Sequence, residues 1–300
     1  MTLIGLPAQT DWPVPQLFDR RRLELAQSNA PFQEAALGFS TEFGELTALL
    51  APVRSLDASS ALEVRNAAIL RAITVRVVKL TRAFIASTMA GQGELQALYD
   101  RLLFETIVDM GYLLRGGPDR YDAFTRYELR HDRELLDHLG RNRALRSGNE
   151  LPMEQRTRER IEAKLSTAGL SADTVPLPGE PSGWPPFEER LGAIGEVDAR
   201  AMHQLGAGST HGLWHEIVTY HLEGDGLDAR LAWSRPLTQP LFALPIQGGR
   251  IMATYATHLG PEAKAAFRDR YLDLVRRANG ADLLHEDFMA RSDVGPPPEV

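Results

Sequence analysis

Apolar residues return at helical spacing along most of this chain, and strand-like alternation is absent. Between about Ala61 and Met89, Leu62, Ala68, Ile69, Ile73, Val77, Leu80 and Phe84 form one apolar face, with Ser59 and Ser60 ahead of them as caps. Gly91 and Gly93 break the pattern. It resumes from Leu95 to Arg115, where Leu98, Leu102, Ile107, Met110, Leu113 and Leu114 supply a broad apolar surface. A Gly116-Gly117-Pro118 turn leads to a third long helix, Asp119 to Leu139, with Phe124, Tyr127, Leu135 and Leu136 on one side. Shorter helices are expected at Leu17–Ser28, Phe32–Leu50, Met153–Thr167, Phe187–His203, Thr210–Leu222, Arg250–Leu259 and from Pro261 to about Ala278.

Between these elements, residues 1–16 are proline-punctuated and read as an extended arm, and SADTVPLPGEPSGWPP reads as loop. Pro236, Pro240 and Pro245 mark an irregular piece in which Leu241-Phe242-Ala243-Leu244 could cover a cavity mouth, and the tail SDVGPPPEV is expected to be unstructured. The expected fold is therefore all-α, a single-domain helical bundle with long antiparallel helices and a proline-rich peripheral segment at 168–186. Its divisions are an arm with short helices at 1–58, a helical core at 59–278 and a C-terminal tail at 279–300.

Composition narrows the chemistry. The 300 residues contain no cysteine, which excludes disulfides, thiolate catalysis, zinc fingers and iron–sulfur clusters and leaves His, Asp and Glu as the strong metal ligands. A net charge of −7 argues against a broad nucleic-acid or anionic-membrane surface. Lysine occurs only at Lys79, Lys164 and Lys264, so arginine carries nearly all the positive charge, a trait of genomic base composition. The first residues lack the basic and apolar segments of a signal peptide. The most apolar window, Ala67–Ala90, is interrupted by Arg71, Arg76, Lys79 and Arg82, so no membrane span is expected. A cytoplasmic protein is the default expectation.

Candidate chemistry concentrates in GEVDARAMHQLGAGSTHGLWHEIVTYHLE, Gly195 to Glu223, which holds His203, His211, His215 and His221, four of the eight histidines. Gly206 and Gly208 break the helix, Ser209 is a good N-cap, and His211 and His215 then share one helical face beside Trp214. Two histidines at this spacing can reach one metal ion, but the glutamate of H-E-x-x-H is missing because Gly212 follows His211. Half-buried histidines bonded to backbone or carboxylates are the plainer reading. Glu105 and Asp109 form an i, i+4 acidic pair within the apolar Leu95–Arg115 helix, near Tyr112. Acids there need arginine partners from a neighbouring helix, or they face a cavity shared with the histidines.

Three motifs compete. Arg126 and His131 have the R-x(4–6)-H spacing used by HEPN-type helical ribonucleases, in which arginine holds a phosphate and histidine serves as acid/base; so common a spacing also arises by chance. Glu128 and His131 form one E-x-x-H unit of a di-metal bundle, with Glu105 on the preceding helix, but a second unit is absent. Ser209 beside His211 fits an N-cap better than a nucleophile, since no G-x-S-x-G elbow exists.

The run Tyr99-Asp-Arg-Leu-Leu-Phe-Glu105-Thr-Ile-Val-Asp109-Met-Gly-Tyr112-Leu-Leu114, the Phe124/Tyr127 helix, the Trp184–Phe187 segment and Ser209-Thr-His211-Gly212 resemble a widespread family of helical bacterial proteins, catalogued only as a domain of unknown function. The likeness spans roughly residues 60–225. It departs in the Ser209–His211 spacing, which has one intervening residue instead of two. It implies a helical fold with Glu105, Tyr112, Ser209 and His211 drawn together, and implies no activity.

These readings lead to an expected His/Glu/Arg-lined pocket between the Leu95–Arg115, Asp119–Leu139 and Thr210–Leu222 helices. In an enzyme, His211 is the acid/base group or metal ligand, Glu105 orients it, His215 or His131 assists, and Arg126 holds an anionic group. Asp109, Tyr112, Tyr127, Ser209 and Trp214 line the site. The chemistry is metal-dependent (zinc, iron or manganese on His211 and His215) or acid/base, on a small molecule. The alternatives are a HEPN-like endoribonuclease acting on RNA through Arg126 and His131, with a homodimer forming its cleft, and a non-catalytic binding or assembly module.

Overall fold

The computed structural model describes residues 3–8, 10–55, 60–195, 221–223 and 228–291. It begins with a two-residue strand, β1 (Leu3–Ile4), and an extended arm, followed by α1 (Arg20–Glu24) and α2 (Ala30–Leu50). Strand β2 (Arg54–Ser55) pairs antiparallel with β1, Leu3 opposite Ser55. The long helices α3 (Ala61–Met89), α4 (Gly93–Leu114), α5 (Pro118–Leu145) and α6 (Pro152–Ala168) follow, then α7 (Phe187–Ile194). After the antiparallel pair β3 (Leu222–Glu223) and β4 (Asp228–Ala229) come α8 (Gln239–Ala243), α9 (Gly249–Leu259), α10 (Pro261–Ala263) and α11 (Asp269–Arg291). The fold is all-α, and the contacts divide it into two compact units: residues up to Leu114 together with those from Leu191 onward, and Arg115–Arg190.

In the first unit, α2 carries Phe32, Ala36, Phe39, Phe43, Leu46 and Leu50 on its buried face. α3 packs against both α2 and α4. Its start is fixed by a capping box, in which the Glu63 amide donates to Ser60 Oγ at 3.2 Å and the Ser60 amide to Glu63 Oε2 at 3.1 Å. The start of α4 is latched to the segment after β4. Leu237 N donates to Gln96 Oε1 at 2.7 Å, Gln96 Nε2 donates to Leu237 O at 2.8 Å, and Ser234 N donates to Glu94 Oε1 at 2.9 Å. Gly248 allows the chain to lie against Phe43, since a Cβ there would come within 2.6 Å of the ring.

The arm is tied down by charge. Arg277 on α11 meets Glu42 on α2 through two bonds, at 2.7 and 2.9 Å, with the two side chains 12% and 6% exposed. Glu42 Oε2 also accepts from the Gln16 amide at 2.6 Å, and Arg277 donates to the Gln16 carbonyl. This hold fixes the Gln16 backbone between α2 and α11, and residues 16–18 are not helical. Asp19 then caps the next turn, accepting from Arg22 N at 3.1 Å. The helix expected at Leu17–Ser28 is accordingly only Arg20–Glu24.

Two further expectations are corrected. Residues 241–244 do not cover a cavity mouth: Leu241, Phe242 and Leu244 are buried in the core. Pro240 sits in the first turn of α8, where its missing N–H costs nothing, and Pro245 falls in a π turn, Leu244–Gly248, whose wider coil accommodates the ring between α8 and α9. The last helix does not stop near Ala278. Tyr271, Leu274, Ala278, Ala281 and His285 are buried at alternating three- and four-residue steps, and this packing overrides the weak helix propensity of Asn279 and Gly280.

In the second unit, Leu129 of α5 meets Ile161, Leu165 and Ala168 of α6, and Val175 joins them from the loop beyond. Trp184, in the proline-rich segment, is buried with its ring 5.2 Å from that of Phe124, and the Arg190 guanidinium lies 5.0 Å from the Trp184 ring. α7 stops at Gly195, which has φ +78° and ends the helix before the expected His203. No helix among the described residues is long and apolar enough to cross a membrane.

Candidate functional site

The expected site residues fall into three groups. His211, His215, Ser209 and Trp214 lie outside the described residues, as does His203. His221 is exposed at the start of the β3 segment, and Leu222, expected to end a helix, is in a strand. Glu105, Asp109 and Tyr112 are half-buried on α4 in the first unit. Arg126, Tyr127 and His131 are on α5 in the second unit.

On α4, the 100° advance per residue places Arg101, Glu105, Asp109 and Tyr112 within roughly 80° of one another, a polar stripe along the helix. Arg101 donates from Nε to Glu105 Oε1 at 3.0 Å, and their side chains are 12% and 35% exposed. Glu105 thus has an arginine partner one turn earlier on its own helix, a pairing that the expectation of a neighbouring-helix arginine or a shared cavity did not include. Arg101 Nη1 is buried with no hydrogen-bond partner among the described residues. A buried cationic donor left unmatched costs on the order of 1–3 kcal/mol or more, so this guanidinium edge is suited to an incoming anion. One residue earlier, burial of the Asp100 carboxyl raises its pKa from 3.8 to about 7.

On α5, Arg126 and His131 are five positions apart, which separates them by roughly 140° around the helix. Arg126 is half-buried, with Nε lacking a partner among the described residues, whereas His131 is exposed and 3.5 Å from Glu134. Tyr127 lies under the Arg130 guanidinium at 3.5 Å. Asp132 is taken by Lys164 at 2.7 Å. The Arg–His pair thus does not share a face, and Glu128, like His131, is exposed.

The sequence reading missed one constellation. Asp282, His285 and Glu286 are at i, i+3 and i+4 on α11, and one potential ligand atom from each lies within 4.8 Å of the others. His285 is 5% exposed, between Phe32 at 5.2 Å and Phe242 at 5.9 Å. Its Nε2 meets Asn29 Oδ1 at 2.9 Å, and the Asn29 amide nitrogen donates to Thr238 Oγ1 at 2.7 Å. This chain puts the ring proton on Nε2 and leaves Nδ1 as a bare lone pair. Nδ1 has no partner among the described residues, nor has the buried Asp282 Oδ1. Burial lowers the His285 pKa against the pull of Glu286, while burial and then Glu286 raise that of Asp282 to about 6. Gln239 Nε2 donates to Glu286 Oε1 at 3.1 Å. The D-x-x-H-E spacing is visible in the sequence, but a helix ended at Ala278 puts these residues in a tail.

Among known families, the model described as Family of unknown function (DUF5677) matches residues 67–228, more than half of the chain. No curated protein and no solved structure matches.

Proposed function

The chain belongs to this family of unknown function, and we propose that the polar stripe of α4 is one wall of a binding site for a small anionic molecule, with acid/base chemistry carried out beside it. The observation that carries this reading is Arg101, held at Nε by Glu105 with its buried Nη1 unmatched among the described residues. Arg101 then takes the anion-binding role that the sequence assigned to Arg126. Glu105 fixes the guanidinium and orients His211, the acid/base group, while Asp109 and Tyr112 line the wall. The family match supports the choice of α4, because it covers that helix and residues 196–220 together. In the metal-dependent form of this reading, His211 and His215 supply two imidazoles to zinc, iron or manganese.

The test is a thermal-shift screen of carboxylate and phosphate-ester metabolites against the wild-type protein and Arg101→Met, which keeps the apolar stem and removes the charge. At least one anionic compound should stabilise the wild type and bind Arg101→Met at least 10-fold more weakly, as expected for a lost charge-assisted contact. Equal responses from both proteins would remove the anion site and leave a non-catalytic assembly module as the better account. Elemental analysis beside a His211→Ala/His215→Ala variant separates the metal-dependent form from the metal-free one. The ribonuclease alternative gains nothing from the two faces occupied by Arg126 and His131. RNA cleavage lost in both Arg126→Ala and His131→Ala would revive it.

A further inference from the structure

We infer that Asp282, His285 and Glu286 form a binding site for one divalent transition-metal ion of the zinc and cobalt kind. The site is on α11, a different element from the Arg101 stripe, and rests on separate observations.

The first is the donor set. One imidazole nitrogen and two carboxylates on a single helical face make a borderline, sulfur-free set, which suits zinc, cobalt, iron or manganese better than calcium or magnesium. The second is the unmatched lone pair. In a side chain 5% exposed, His285 presents Nδ1 with no hydrogen-bond partner among the described residues, and the buried Asp282 Oδ1 has none there either. Two such groups side by side are costly unless something joins them, and a cation accepts both lone pairs at once.

The third is the support behind the ligands. A ligating histidine normally donates its other ring N–H to a fixed acceptor, and Asn29 fills that role, itself fixed by Thr238. Phe32 and Phe242 flank the imidazole and hold it in a weakly polar setting. Glu286 is exposed, so it gives an ion a way in from solvent and has room to rotate. Ligands about 2.1 Å from a tetrahedral ion lie about 3.4 Å from one another, so a group whose ligand atoms lie within 4.8 Å of one another contracts by at most about 1.4 Å, a movement within reach of the Glu286 side chain. Three protein ligands leave a coordination position for water or another small donor.

Cobalt(II) titrated into the chelator-treated full chain at pH 7.5, followed by visible absorption, is the test. The wild type should take up one ion at this site with ligand-field bands. Glu286→Gln, at an exposed position where folding is unaffected, should weaken that uptake at least 10-fold, as should Asp282→Asn. A circular-dichroism spectrum identical to the wild type shows that each variant is folded. His211→Ala/His215→Ala should leave the cobalt spectrum unchanged. Absence of the bands in the wild type, or bands that survive Glu286→Gln and Asp282→Asn, would overturn the assignment. Bands lost only in the double histidine variant would place the metal on residues 211 and 215 instead. Because Arg101→Met does not touch this site, failure here and failure of the α4 anion site are separately visible.

Discussion

Asp100 gives α4 a carboxyl group that changes charge near neutral pH, with its pKa raised from 3.8 to about 7 by burial. A folded-state value above the unfolded one means that the native chain holds this proton longer than the unfolded chain does. Its contribution to stability is complete below about pH 4, declines as pH rises towards 7, and is lost above that. The slope from this one group is at most about 1.4 kcal/mol per pH unit. Asp100→Asn should abolish the decline and make the protein more stable than the wild type at pH 8, as read from urea melts at pH 5, 6, 7 and 8. Parallel curves for the two proteins would show that the carboxyl is solvated. Sequence made part of this scale legible. Glu105 stood out as an acid in an apolar helix needing an arginine, but that Arg101 one turn away is such a partner depends on rotamers and packing, which residue order does not specify. His285 was invisible as a ligand for a different reason: its meaning depends on Asn29, which lies 256 positions away.

At the scale of elements, the clamp of Glu42, Arg277 and the Gln16 backbone makes the sharpest prediction. Arg277 is 12% exposed and also reaches Asp273 at 2.8 Å, so removing Glu42 leaves a largely buried cation with an exposed substitute. Glu42→Ala should cost about 3–5 kcal/mol of unfolding free energy in urea denaturation, the range for breaking one side of a buried pair. A loss under about 1 kcal/mol would show that water reaches Arg277. Helices read most clearly where apolar periodicity was long and uninterrupted: α3 was expected at Ala61–Met89 and is found there, and α4, α5 and α6 begin within two residues of their expected starts. Legibility failed where proline or glycine sat inside a helix that tertiary contacts hold together. Pro245 suggested an irregular piece and Gly280 a helix end, whereas a π turn absorbs the first and the buried face of α11 carries the second.

At the scale of the whole molecule, periodicity and the absence of strand alternation were enough for the all-α class. The two compact units were not legible, because they depend on which residues from Leu191 onward return to the first 114. That return has a consequence for biosynthesis. The Glu42–Arg277 clamp spans 235 positions, so the first unit cannot be completed until α11 has left the ribosome. The contacts within Arg115–Arg190 are all available much sooner. Arrested nascent chains probed by limited proteolysis should show residues 115–190 protected while residues 30–114 are still cleavable, and the order would be reversed or simultaneous if α2–α4 were stable without α11. The chain is thus expected to emerge with an inner segment that settles first, and with an N-terminal third that waits for its partner helix and needs shielding from aggregation in the interval.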